Sequence, residues 1–164
     1  MSKQDGRSFK EKALGEPGSK KRVNSKVKGN KNEVAVAKAL SKWTGVPFRR
    51  TPASGAIHVP LDWLAGDVFC AVKDFDFPFC VETKHYKRVT QGLVKKWLAQ
   101  VREDAKRIDK VPMLIYREDG WAANTWQIII LWESDPDKWI PVSSKDLFML
   151  DYKTFIKSNR REHI

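Results

Sequence analysis

In Phe79-Cys80-Val81-Glu82-Thr83-Lys84 an apolar, β-prone run ends in an acid and a lysine two residues apart. Side chains alternate along a strand, so Glu82 and Lys84 share one face, while Val81 and Thr83 turn toward the core. An acid and a lysine presented together are what a metal-dependent phosphodiesterase needs. The carboxylate holds a hard cation. The lysine positions or deprotonates the attacking water, or neutralises charge in the transition state. Asp67, fifteen residues earlier at the head of the β-run Val68–Val72, supplies a second carboxylate. Two carboxylates with substrate phosphate oxygens suit Mg²⁺, which keeps much of its water shell, and Mn²⁺ can take its place.

Glu-x-Lys alone is weak evidence, because the same pair is common as a charge couple on exposed strand faces. Glu33 strengthens it: this acid lies in the first turn of a helical pattern, on the face shared by Val36, Ala37 and Leu40, and should point into the body of the protein. Glu33 also fits a capping box, Asn30-x-x-Glu33. Asp62 competes with Asp67, which is preferred because it abuts the β-run. His85 suggests a general base, although a histidine beside a strand is commonly a bystander. Arg49, Arg50, Lys87 and Arg88 flank the cluster and, with His85, could line a phosphate track.

Those groups need a scaffold. Val36, Ala37, Leu40 and Trp43 recur at helical spacing, with Asn30 or Asn32 as the candidate cap and Gly45 as the stop. Val46–Arg49 reads as a short extended stretch. Asp67–Val72 and Phe79–Thr83 read as two strands of a hairpin. Leu93, Val94, Trp97, Leu98, Val101, Ala105 and Ile108 define a second amphipathic helix, with Lys95, Arg102 and Lys106 outside. Pro112–Tyr116 and Thr125–Leu131 read as strands buried on both faces. Leu147–Lys157 carries a weaker helical pattern. The order predicts an α/β fold, a mixed central β-sheet flanked by helices. Trp97, Trp126 and Trp132 belong to its core.

With 164 residues the chain has the size of one domain, and its seven tryptophans and eight phenylalanines can fill a core. It carries 31 Lys+Arg against 20 Asp+Glu, a net charge of +11, which points to a polyanionic partner. Residues 1–28 read as a basic flexible arm suited to lying on phosphates, leaving 29–164 as the folded domain. The apolar runs are too short to span a bilayer, and no signal-peptide core follows Met1, so a cytoplasmic protein without membrane contact is expected. Cys70 and Cys80, both in strand-like stretches, read as buried free thiols.

Taken in order, these segments resemble the archaeal-type Holliday junction resolvases, a branch of the PD-(D/E)xK nucleases that includes phage enzymes. The resemblance runs from Lys28-Gly29-Asn30 and the Glu33 helix through Arg50-Thr51-Pro52-Ala53-Ser54-Gly55, which is similar to the family's R-x-P-x-S-G segment. Gly66-Asp67-Val68 stands where the family has Pro-Asp-Ile, and Val81-Glu82-Thr83-Lys84 stands at its E-x-K strand. Gln100 and an apolar strand continue the pattern to about residue 116. Gly66 departs from the family's proline, the segment between Ser54 and Asp67 is long, and residues 117–164 have no counterpart in the pattern.

The resemblance implies a restriction-endonuclease-like core, metal held by Glu33, Asp67, Glu82 and the Thr83 backbone carbonyl, a catalytic Lys84, and Ser54 touching substrate near the site. Lys28 and Gly55 join the DNA-contacting set. A homodimer making paired nicks in branched DNA, foremost four-way junctions, is the implied assembly. Two rival readings remain open: another nuclease of the superfamily (restriction, repair or flap-cutting), and a non-catalytic DNA-binding protein on the same fold.

Overall fold

The computed structural model describes residues 24–52, 64–132 and 138–160. Its elements run α1 (Ser25–Thr44), β1 (Phe48–Arg50), β2 (Val68–Cys70), β3 (Phe79–Tyr86), α2 (Gln91–Arg107), β4 (Val111–Glu118), β5 (Gln127–Ile130), β6 (Val142–Ser143), α3 (Ser144–Met149) and α4 (Tyr152–Arg160). The six strands form one sheet in sequence order. β3 and β4 are parallel and every other neighbouring pair is antiparallel. A parallel pair needs a crossover connection, and α2 supplies it. The mixed sheet flanked by helices is the α/β architecture expected from the sequence.

Alternation along the central strands decides where the core sits. Phe79, Val81, Met113, Ile115 and Ile128 pack on the side of α1, α3 and α4. Cys80, Leu114 and Ile129, one step out of phase, pack against Val94, Trp97, Leu98 and Val101 of α2. Both faces are therefore buried, which explains the near-continuous apolar character of β4 and β5. Trp97 and Trp126 are buried, and Trp132 packs on the α1 side.

Three expectations need correction. First, α1 starts at Ser25 with Asn24 as its cap, the Asn24 side chain accepting from the Lys26 N–H at 3.0 Å. Ser25–Lys28 thus belong to the helix and not to the arm; residues 1–23 lie outside the described residues. Asn30 and Asn32 are interior positions, and Glu33 stands in the third turn, so no capping box forms. Asn32 is instead buried and accepts from Trp126 Nε1 at 2.9 Å. Second, the Leu147–Lys157 pattern is two helices. Leu150 is extended, and the Asp151 carboxylate accepts from the Thr154 N–H at 2.9 Å to start α4. Third, of the two thiols expected to be buried, Cys80 is, but Cys70 at the end of β2 is only half-buried. Gly45 does end α1, at φ +78°, with its N–H bonded to the Ser41 carbonyl. Among the described residues no helix is long and apolar enough to cross a membrane.

Candidate active site

The site forms where β2 and β3 separate. Their ladder is registered at one pair, Val68 opposite Val81. One residue before it, the Asp67 N–H donates to the Val81 carbonyl at 2.8 Å. The Asp67 carboxylate then takes over from the ladder: its Oδ2 accepts from the Thr83 N–H at 2.8 Å and from Thr83 Oγ1 at 3.3 Å. The side chain thus fills a backbone partner's role and is fixed at the opening. A strand residue's N–H and C=O point the same way, so the Thr83 carbonyl faces this opening too. On the adjoining face of β3, Lys84 Nζ lies 2.6 Å from Glu82 Oε1, and the Glu82 side chain is only 3 % exposed.

Gly66 makes the approach possible. Its φ is +84°, a value that proline, held near −65°, cannot adopt. A Cβ there would stand 2.3 Å from the Val81 carbonyl oxygen. Glycine at this position therefore allows a turn before the aspartate that proline could not make. Gly66→Ala is expected to lower stability by roughly 2–4 kcal/mol, from the left-handed backbone and the clash together. A urea melt reads this directly, and an unchanged midpoint would show that the close approach is dispensable.

Glu33 reaches the same region from α1. Its half-buried carboxylate pairs with Arg50 Nε of β1. Arg50, expected on a phosphate track, is thereby an anchor for Glu33, a pairing that bridges 17 positions and has no local signature. Burial raises the pKa of Glu33 above the ordinary carboxylate value, with the Asp67 charge adding to it against Arg50. Burial likewise raises Asp67, against its hydrogen bonds to Thr83. Glu82 is pushed up to about 7, first by burial and then by the Asp67 charge. Burial alone would lower Lys84, but the hydrogen bond and charge of Glu82, with the Asp67 charge, outweigh it and raise its pKa. Lys84 therefore stays a cation. Cys80, pushed up to about 12 by burial, is no nucleophile at neutral pH, and both cysteines are free.

The other expected site residues divide. Lys28 and His85 both pair with Asp119, His85 Nε2 at 3.0 Å. Asp119 was missed in the sequence, where Asp119-Gly120 signals only a turn. Burial and the charges of Lys28 and Arg117 lower the His85 pKa, so near neutral pH it is mainly uncharged. Arg49, Lys87 and Arg88 are exposed. Asp104 of α2, also missed, adds negative charge that raises Asp67 and Glu82. Ser54, Gly55, His58 and Asp62 lie outside the described residues.

Among the described residues no three acidic, histidine or cysteine side chains converge tightly enough to cage an ion by themselves. What comes together is the buried Glu82 and the half-buried Asp67, whose charges repel, with a backbone carbonyl beside them. An all-oxygen, incomplete set of this kind fits a hard divalent cation that keeps several waters.

The chain is similar to known proteins. Residues 24–162 match the family described as "Phage putative PDDEXK endonuclease". The chain is also 29 % identical over 124 residues to Protein D14 of Escherichia phage T5, an alignment covering 70 % of this chain and 74 % of that protein.

Proposed function

The chain belongs to the phage PDDEXK endonuclease family, and on that premise we propose that it hydrolyses DNA phosphodiesters with Mg²⁺ or Mn²⁺ at the Asp67–Glu82–Lys84 cluster. The observation that carries this reading is the strand opening, where Asp67 is fixed through Thr83 beside the pair of buried Glu82 with half-buried Lys84. Asp67, Glu82 and the Thr83 carbonyl would hold the cation, with Glu33 close by, and the ion would supply Lewis acidity and an activated water. Lys84, kept charged, donates to the attacking water and offsets charge growing on the phosphoryl oxygens. It is a poor base for the same reason. Arg49, Lys87 and Arg88 carry the flanking phosphates, and Ser54-Gly55, outside the described residues, take the substrate-contacting role that the resemblance implies.

The substrate is read as branched DNA, foremost the four-way junction, cut by a homodimer. This rests on the ordered resemblance of the Glu33, Arg50–Gly55, Asp67 and Glu82-x-Lys84 segments. One site per chain cannot cut a junction symmetrically, whereas a two-fold dimer matches the junction's own symmetry. The test is cleavage of matched linear, flap and four-way DNA with and without Mg²⁺, alongside sedimentation. Paired nicks in opposite junction strands by a dimer are expected. A monomer cutting linear DNA as readily as junctions overturns the junction assignment and leaves the nuclease one.

The raised carboxylates give a pH prediction. Glu82 holds its proton more tightly folded, at about 7, than at its ordinary 4.5, so the metal-free fold takes up a proton between those values. Its stability should accordingly fall as pH rises through that window, by a few kcal/mol at most at ~1.4 kcal/mol per unit. A cation in the proton's place reverses the loss. Mn²⁺ should therefore raise the thermal midpoint more at about pH 8 than at about pH 5. Equal shifts at both would remove Glu82 from the metal set.

A further inference from the structure

The side of α1 turned away from Glu33 carries a second charged feature. Lys31, Lys38 and Lys42 lie roughly 140–180° round the helix from Glu33 at 3.6 residues per turn. They form one wall of a groove of about 840 Å³ between α1 and the α3–α4 segment, and Lys145 stands on the opposite wall. All four are exposed, and among the described residues none has an ion pair. The contrast is with Lys28, Arg50 and Lys84, each held by a carboxylate. Asp151, the acid in the groove, is committed to Thr154.

Between the lysine walls the lining is apolar. Trp43, Phe148 and Leu150 contribute to it, and Trp43 is anchored by its Nε1–H donating to the Leu150 carbonyl at 2.9 Å. Met149 is 78 % exposed, Leu150 53 % and Val34 43 %, an unusual concentration of open apolar surface at one place. A duplex would offer phosphates to the lysines but nothing apolar to the floor. A peptide with alternating acidic and apolar residues satisfies both at once. The Lys31–Lys42 wall is roughly 16 Å long at 1.5 Å per residue, enough for about five extended residues.

We propose that this groove docks an acidic, apolar-bearing peptide segment of a partner protein, away from the cleavage site. The experiment uses the full chain and a short fluorescein-labelled peptide in which aspartates alternate with leucines and phenylalanines, read by anisotropy. Affinity should fall about tenfold or more, ~1.4 kcal/mol, in the Lys38→Glu/Lys42→Glu variant and separately in Met149→Asp. DNA affinity and cleavage should stay unchanged in both. A peptide with serines for the leucines and phenylalanines, equal in charge, should bind about tenfold more weakly. Undiminished peptide binding by either variant overturns the proposal, as does equal binding of the serine peptide. Loss of duplex affinity in the lysine variant also overturns it, making the groove a phosphate track.

Discussion

Asp67→Asn is expected to lower the cleavage rate by more than about 10³-fold, beyond the usual loss of one preorganised electrostatic group, while DNA binding is kept or strengthened. Asparagine retains an oxygen that can accept from the Thr83 N–H, so the 2.8 Å bond that fixes the strand opening can survive. What disappears is the charge. With it goes a repulsion that raises Glu82, and with it also goes half of the carboxylate pair available to a cation. Binding improves because one negative charge leaves a surface that must receive phosphates. A gel-shift titration and a single-turnover cleavage assay separate the two effects. Cleavage by Asp67→Asn at the wild-type rate would show that this is not the site.

Lys84→Ala should lower the rate by roughly 10²–10⁴-fold, the range for losing a positioned catalytic group. The structure adds a condition. Lys84 is the partner of a carboxylate only 3 % exposed, so its removal raises Glu82 further and weakens metal binding near neutral pH. The comparison therefore belongs at about pH 8 with saturating metal, since high pH and bound cation both favour the ionised carboxylate. The thermal shift on adding Mn²⁺ should persist there while the rate stays low. A retained rate would reduce Glu82-x-Lys84 to a charge couple.

What could be read from the sequence follows from how local each feature is. Period-two alternation from Phe79 to Lys84 put Glu82 and Lys84 on one face, and the structure keeps them paired there. The helical spacing through Leu93–Ile108 gave α2 because its apolar stripe is wide and regular. The start of α1 was misjudged because Ser25, Lys26 and Lys28 are polar and Val27, though apolar, is exposed: they extend the helix without contributing to the apolar stripe. The Arg50–Glu33 and Asp119–His85 pairs join side chains far apart in the chain, and charge types alone carry no partner information. Gly66 was read only as a departure from the resembled family's proline because φ is invisible in the sequence; its +84° and the nearness of Val81 give the physical reason for glycine.

If Asp67 and Glu82 share a divalent cation, anomalous diffraction from crystals grown with Mn²⁺ will show a peak within bonding distance of both carboxylates and of the Thr83 carbonyl, about 2.0–2.3 Å from each oxygen for a hard divalent ion. That peak should be lost in Asp67→Asn. A Mn²⁺ peak elsewhere on the protein, with these two carboxylates left bare, would contradict that sharing.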